Sequence, residues 1–262
     1  MLETIETPCS DRFMDLVHSA NDRIIMCSPF IKNDVVEKVL STKQTFCELE
    51  VLTASNTSNY IRRSSDVSAI KLLVERNFVV RNRPNLHAKI YIFDKEKALV
   101  TSSNLTNGGL SRNFEYGLLI SQDEDTVKKI YKDYFDIAHS DETGTYDKNS
   151  IKDLEKLVPI LEKSHVDYHD DKDDDEIAHI EDTSTIVEAF TGWKANMFKA
   201  LCQIKAEEFS LADVYSFAPY FEKLYPDNHT VRDSMRRNLE EFRNLGLIRF
   251  VDNAGRYKKL FH

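Results

Sequence analysis

The stretch His87-Ala88-Lys89-Ile90-Tyr91-Ile92-Phe93-Asp94 decides how the first half of this 262-residue chain is read. It is short, apolar and β-branched enough to be a strand. Strand alternation puts His87 and Lys89 on one face and turns Ile90 and Ile92 to the other. Working outward, Ala98–Ser102 and Phe114–Ser121 read as strands after it, and Arg23–Phe30, Glu48–Thr53 and Asn77–Arg81 as strands before it. Helix-like patterns lie between them, near 10–19, 32–42, 64–76 and 123–138. Strands separated by helices predict an α/β domain, a layered mixed sheet flanked by helices.

Charge marks where that domain is expected to stop. The chain carries −9 overall, which argues against a polyanionic partner. Residues 167–182, however, hold nine acids and one lysine, or −8, so the remaining residues sum to only −1. A run of like charge with little to bury reads as a solvated linker. The expected division is therefore a domain at 1–165, an acidic linker at 166–184 and a second domain at 185–262. In the second domain, helical patterns near 186–206, 211–218 and 229–245 precede Leu247–Val251, a turn at 252–255 and Arg256–Phe261. Three helices followed by a hairpin predict a small winged helix-turn-helix. Residues 229–262 hold eight Lys or Arg against four acids, a local positive end on an acidic chain.

The chemistry-bearing residues cluster around the opening stretch. After His87 and Lys89 come Asp94, then Thr101-Ser102-Ser103-Asn104, then Glu115 in an otherwise apolar strand. A carboxylate in such a strand needs a partner. Together the set suits a phosphate: Lys89 supplies charge, Ser102 and Asn104 fixed donors, and His87 a nucleophile or proton carrier. The spacing H-x-K-x4-D-x6-G-S-x-N resembles the HKD motif of the phospholipase D superfamily, matched at His87, Lys89, Asp94, Ser102 and Asn104. Thr101 departs from it, standing where the family usually has glycine. Asn113-Phe114-Glu115 resembles the N-x-E that follows the motif in the superfamily's small nucleases.

The resemblance, over about 20–140, implies a phospholipase D-like fold and hydrolysis without metal or other cofactor. His87 would form a phosphohistidine, Lys89 and Asn104 would neutralise the phosphoryl oxygens, and Asp94 would order its strand. Glu115 would hold an active-site histidine. The chain has one such motif where a superfamily site uses two, so the resemblance also implies a homodimer with a composite active site.

The second domain resembles the winged-helix module at the C-terminus of some restriction endonucleases, over about 190–262. The resemblance rests on 209–215, 225–232 and 245–250. Asn228 or Thr230 is positioned to cap the third helix. Thr230, Arg232, Arg236 and Arg237 on that helix, with Arg256, Lys258 and Lys259 on the wing, are the expected DNA contacts. Trp193 reads as core. The basic pairs Arg62/Arg63 and Arg81/Arg83 flank loops of the first domain and are weak pointers to a nucleic-acid groove.

Other classes fall away. No apolar run is long enough to span a membrane. The start lacks a basic and apolar leader, so a cytoplasmic protein is expected. Cys9, Cys27, Cys47 and Cys202 are scattered with no CxxC, so neither a zinc nor a redox site is expected. His165 and His169 stand four apart among acids and are not read as a metal site. The leading expectation is a dimeric, metal-independent DNA endonuclease of restriction or defence type. The alternatives are a lipid or small-molecule phosphodiesterase and a DNA-binding regulator on an inactive scaffold.

Overall fold

A computed structural model describes residues 1–54, 56–164, 166–170, 176–180, 183–252 and 254–261. Contacts divide the chain into two compact units, Met1–Ser55 with Arg62–Lys148, and Asn56–Ile61 with Asn149–His262. In chain order the elements up to residue 148 are β1 (Leu2–Glu6), α1 (Ser10–Ser19), β2 (Arg23–Cys27), α2 (Asn33–Thr42), β3 (Glu48–Thr53), α3 (Thr57–Ile61), α4 (Val67–Glu75), β4 (Val79–Asn82), β5 (Ile90–Phe93), β6 (Lys97–Thr101), a π-helical turn (Gly108–Arg112), β7 (Tyr116–Ser121), α5 (Glu124–Ala138) and β8 (Gly144–Thr145). All but α3 belong to the first unit.

The first unit is the expected mixed α/β sheet, in the order β1-β7-β6-β5-β2-β3-β4-β8. Strands β2, β3 and β4 run parallel. The pairings β1·β7, β7·β6, β6·β5, β5·β2 and β4·β8 are antiparallel. Helix α5 packs Val127, Tyr134 and Ala138 against Ile25, Cys27, Leu52, Ile92, Ala98 and Ile120 on one face. On the other, α1 buries Phe13, whose ring meets Tyr91 edge-on at 4.9 Å. Helix α1 does this because Phe13, Met14, Leu16 and Val17 form one apolar stripe at helical spacing.

Strand β5 begins at Ile90, so His87-Ala88-Lys89 is an irregular lead-in rather than part of the strand. The ladder reaches back only to the Lys89 carbonyl, which accepts from Thr101 N–H at 3.1 Å. The opposite end of β5 turns through Asp94 and Lys95, both left-handed, closing on Glu96 N–H to Phe93 O at 3.0 Å. Two positive φ values suit the right-handed twist of a hairpin.

The second unit continues with α6 (Lys148–Lys163), β9 (Val166–Asp170), β10 (Glu176–Ile180), α7 (Ser184–Val187), α8 (Gly192–Gln203), β11 (Glu208–Ser210), α9 (Leu211–Tyr215), α10 (Ala218–Leu224), α11 (Val231–Asn244), β12 (Ile248–Phe250) and β13 (Arg256–Lys259). The sheet order is β11-β13-β12, with helices α8 to α11 ahead of the β12–β13 wing. A capping box at Ser210 and Asp213 starts α9. Gly246, at φ 72°, lets the chain leave α11 after Leu245.

By contacts the division falls at 148/149, because α6 belongs with the second unit. There Asp153 binds the Lys194 ammonium of α8, which also bonds Glu241 of α11 at 2.5 Å. The acidic stretch is not featureless: β9 and β10 pair antiparallel, Val166 opposite Ile180. Residues 171–175 and 181–182 of the expected linker, and His165 of the histidine pair, lie outside the described residues.

Candidate active site

The site lies at one end of the sheet, where β2, β3 and β4 finish, β5 and β7 begin and β6 ends. The crevice beyond the carboxyl ends of parallel strands is where open α/β sheets commonly bind ligands. Three adjacent strand ends supply the expected residues. His87 and Lys89 precede β5, Ser102 and Asn104 follow β6, and Glu115 precedes β7.

His87 is exposed, and the Lys89 ammonium lies 3.5 Å from both of its ring nitrogens while donating to the His87 carbonyl at 2.7 Å. Burial pushes the Lys89 pKa below the usual lysine value, and the nearby Glu115 charge acts against that shift. Ser102 Oγ donates to Glu115 Oε2 at 2.5 Å and accepts from Tyr116 N–H at 3.1 Å. Asn113 Nδ2 donates to the second oxygen, Oε1, at 3.2 Å. The Thr7 hydroxyl ties this loop down, donating to Asn113 O at 2.5 Å and accepting from Glu115 N–H at 3.0 Å. Ser102 holds Glu115 rather than pointing a free donor outward. Glu115 is held by Ser102 and Asn113, with no bond to His87 among the described residues.

Asn104 is placed by backbone packing. Leu105 N–H donates to Ser28 Oγ at 3.0 Å, and Ile31 bridges to Leu105. A Cβ on Gly109 would come within 2.5 Å of the Asn104 carbonyl, so only glycine allows that approach. Its Oδ1 is buried without a hydrogen-bond partner. The Asn104 Nδ2 makes no hydrogen bond among the described residues.

Asp94 is kept away from this group. It sits beyond the far end of β5, about 16 Å from Lys89 at the usual strand rise. Its carboxylate accepts from the backbone N–H groups of Asn21, Asp22 and Arg23 at 2.8–3.0 Å, fixing the entry to β2. Asp94 is a positioning residue. Thr101 is fitted by Gly117 opposite it, where a Cβ would lie 2.7 Å from Thr101 Cβ. Its hydroxyl donates to Tyr116 O at 3.1 Å and accepts from Ser103 N–H at 3.1 Å.

In the second unit Thr230, Arg232, Arg236 and Arg237 are all exposed on or at the start of α11. The opposite side of that helix buries Met235, Leu239 and Phe242. Arg232 lies 5.2 Å over the Tyr215 ring. Thr230 occupies the N-cap without a side-chain cap bond; its own N–H goes to Asn228 Oδ1 at 2.9 Å. Arg256 is exposed but bonded to Asp252 at 2.6 Å. Lys258 and Lys259 are only 3% and 6% exposed, so they do not decorate the wing as expected. The cause is position: β13 is the middle strand, and Lys259 Nζ donates to the Ile204 carbonyl. Trp193 stacks on Phe221 and Tyr225, each at 4.6 Å, inside the helical array.

A family model described as the PLD-like domain of cardiolipin synthase matches residues 13–137. The chain carries a phospholipase D-like domain. A model described as a Dam-replacing HTH domain matches residues 190–259, the winged-helix part of the second unit. Similar solved structures include Nuc, a phospholipase D family member from Salmonella typhimurium, at 17% identity, covering 56% of this chain and 99% of that one with a TM-score of 0.49. NucT from Helicobacter pylori is 16% identical over 53% of this chain and 96% of that one, TM-score 0.43. Phosphatidylserine synthase from Haemophilus influenzae is 16% identical over 61% of this chain and 46% of that one, TM-score 0.44. No curated protein matches the chain.

Among the described residues of the phospholipase D-like and winged-helix units, no three His, Cys, Asp or Glu side chains are grouped to hold a metal ion. No described helix is long and apolar enough to cross a membrane. Sequence reasoning passed over Thr7, whose hydroxyl is far in sequence from the loop it ties. It also passed over Gly109 and Gly117, although a glycine inside a strand, as at 117, is a readable sign of close approach.

Proposed function

We propose that this protein is a metal-independent DNA endonuclease whose winged helix selects the DNA, in a restriction or host-defence role. The observation that carries the reading is the exposed His87 imidazole beside the Lys89 ammonium, at the same sheet end as the free Asn104 amide. A ring nitrogen of His87 attacks phosphorus, forming an N–P bond as the bond from phosphorus to the leaving oxygen breaks. A second histidine protonates that oxygen, then takes a proton from water as the water cleaves the N–P bond. Lys89 and Asn104 neutralise charge on the phosphoryl oxygens.

The second histidine is His87 of another copy, which makes the enzyme a homodimer with a composite site. An uncovered apolar face beside the site supports this. Phe114, Tyr116, Leu118 and Val100 are 85%, 50%, 42% and 40% exposed, and the last two are opposite one another across β6 and β7. Monomers rarely leave such clusters uncovered.

The test is plasmid cleavage in excess EDTA, on methylated and unmethylated DNA, with His87→Ala alongside. The expected result is discrete fragments, a loss of at least about a thousandfold in His87→Ala, and unchanged DNA binding by that variant. Absence of cleavage of either DNA by the wild type would overturn the reading. A strictly monomeric active enzyme in light scattering would overturn the shared site.

A further inference from the structure

A groove of about 770 Å³ opens beside Asn104, lined by Lys32, Arg63, Arg112, Thr106, Asn107 and Asn113 among others. Asn104 lines it as well, while His87 and Lys89 do not, so the groove adjoins the reacting group through Asn104. Its three cations differ. The Lys32 ammonium is matched by Asp66 at 2.6 Å and also donates to the Arg63 carbonyl at 3.0 Å. Asp66 in turn accepts from Asn33 N–H at 2.9 Å. This brace holds Arg63 at φ 57°, a left-handed conformation unusual for a side chain larger than glycine's. The guanidinium groups of Arg63 and Arg112 are exposed and make no hydrogen bond or ion pair among the described residues. Asp34, the carboxylate of the groove, is engaged by the Asn107 amide.

We propose that Arg63 and Arg112 bind the phosphate adjacent to the scissile one, so that the enzyme favours a polynucleotide strand over an isolated diester. The inference rests on the nuclease reading above. Guanidinium forks match phosphate oxygens, and both groups lack an internal partner to displace. The remaining lining is amide and hydroxyl, with Phe30 its one large apolar side chain, which suits sugar and phosphate better than an acyl chain. The groove's volume lies in the range of sites for small organic ligands, enough for a nucleotide unit.

The test uses single-stranded oligonucleotides in which phosphates beside the cleavage position are replaced, one at a time, by neutral methylphosphonate. Wild-type kcat/KM is expected to fall about tenfold at one such position, the size of one lost charged hydrogen bond. Arg63→Gln with Arg112→Gln is expected to lose about tenfold on the unmodified strand and nothing more on the modified one. The salt slope of binding should flatten by about one counterion. If the two losses multiply, or the double variant cleaves like the wild type, the subsite is wrong while the nuclease reading stands. Single variants Arg63→Lys and Arg112→Lys, which keep the charge, should lie between. If the wild type cleaves bis(p-nitrophenyl) phosphate but no oligonucleotide, the nuclease reading fails and this inference with it.

Discussion

At the sheet end of the first unit, Lys89 keeps an ammonium that no carboxylate pairs among the described residues, and Asn104 keeps a free amide. In the wing of the second unit, Arg256 is bonded to Asp252, and Lys258 and Lys259 are buried. Both regions read as positively charged or donor-rich in sequence. The difference is made by backbone. Around the site, close approaches at Gly109 and Gly117 and the loop ties of Thr7 fix the frame without using the functional groups. In the wing, Lys258 and Lys259 stand on the middle strand of a three-stranded sheet and are enclosed there, while Arg256 at the start of that strand stays exposed. A run of charge therefore predicts an interface only where its neighbours leave it unengaged.

The sharpest way to break this comparison is to disturb the site's frame. Gly117→Ala should destabilise the first unit by about 2 kcal/mol, because its Cβ has no room beside Thr101. The same change in a Thr101→Gly background should cost clearly less, and thermal melts of the four proteins give the coupling. Simple additivity would mean that the contact does not hold the strand ends together.

A smaller effect sharpens the other side. Arg236→Gln with Arg237→Gln should weaken DNA binding about tenfold and flatten its dependence on salt, as each lost phosphate contact retains counterions. Lys258→Gln with Lys259→Gln should leave that slope unchanged and lower the melting temperature, since both ammonium groups are enclosed. A folded lysine variant with a flattened slope would restore the wing lysines as DNA contacts.

Much of this was legible in the chain. The α/β alternation gave the central strands and the helices that cover them, and the hairpin after α11 gave the wing. Strand β1 was not legible, because Leu2–Glu6 is held by pairing with β7 more than a hundred residues away. Helix α6 was obscured by Pro159 inside it, although Ile151, Leu154, Leu157, Val158 and Leu161 form its buried stripe. At the site, spacing brought out His87, Lys89 and Asn104. It grouped Asp94 with them, because sequence distance along a strand carries no sign of which end of the sheet a residue reaches. It read Ser102 as a donor to substrate, because the carboxylate that engages it lies thirteen residues on.

The smallest expected effect tests whether Lys89 acts through its charge. Burial lowers its pKa and Glu115 raises it, with burial the larger. If the charged amine is required, kcat/KM should fall on the alkaline side at a lower pH than an ordinary lysine would give. Glu115→Gln removes the raising influence, so the limb should move further toward neutral pH. A fall in activity with the limb unmoved would mean that Glu115 matters only through Ser102 and Asn113. Lys89→Arg supplies the control, because a guanidinium stays charged throughout. Whatever activity that variant retains should show no alkaline limb in this range. A limb that persists would assign the titration to another group and leave Lys89 a hydrogen-bond donor whose charge does not limit the reaction.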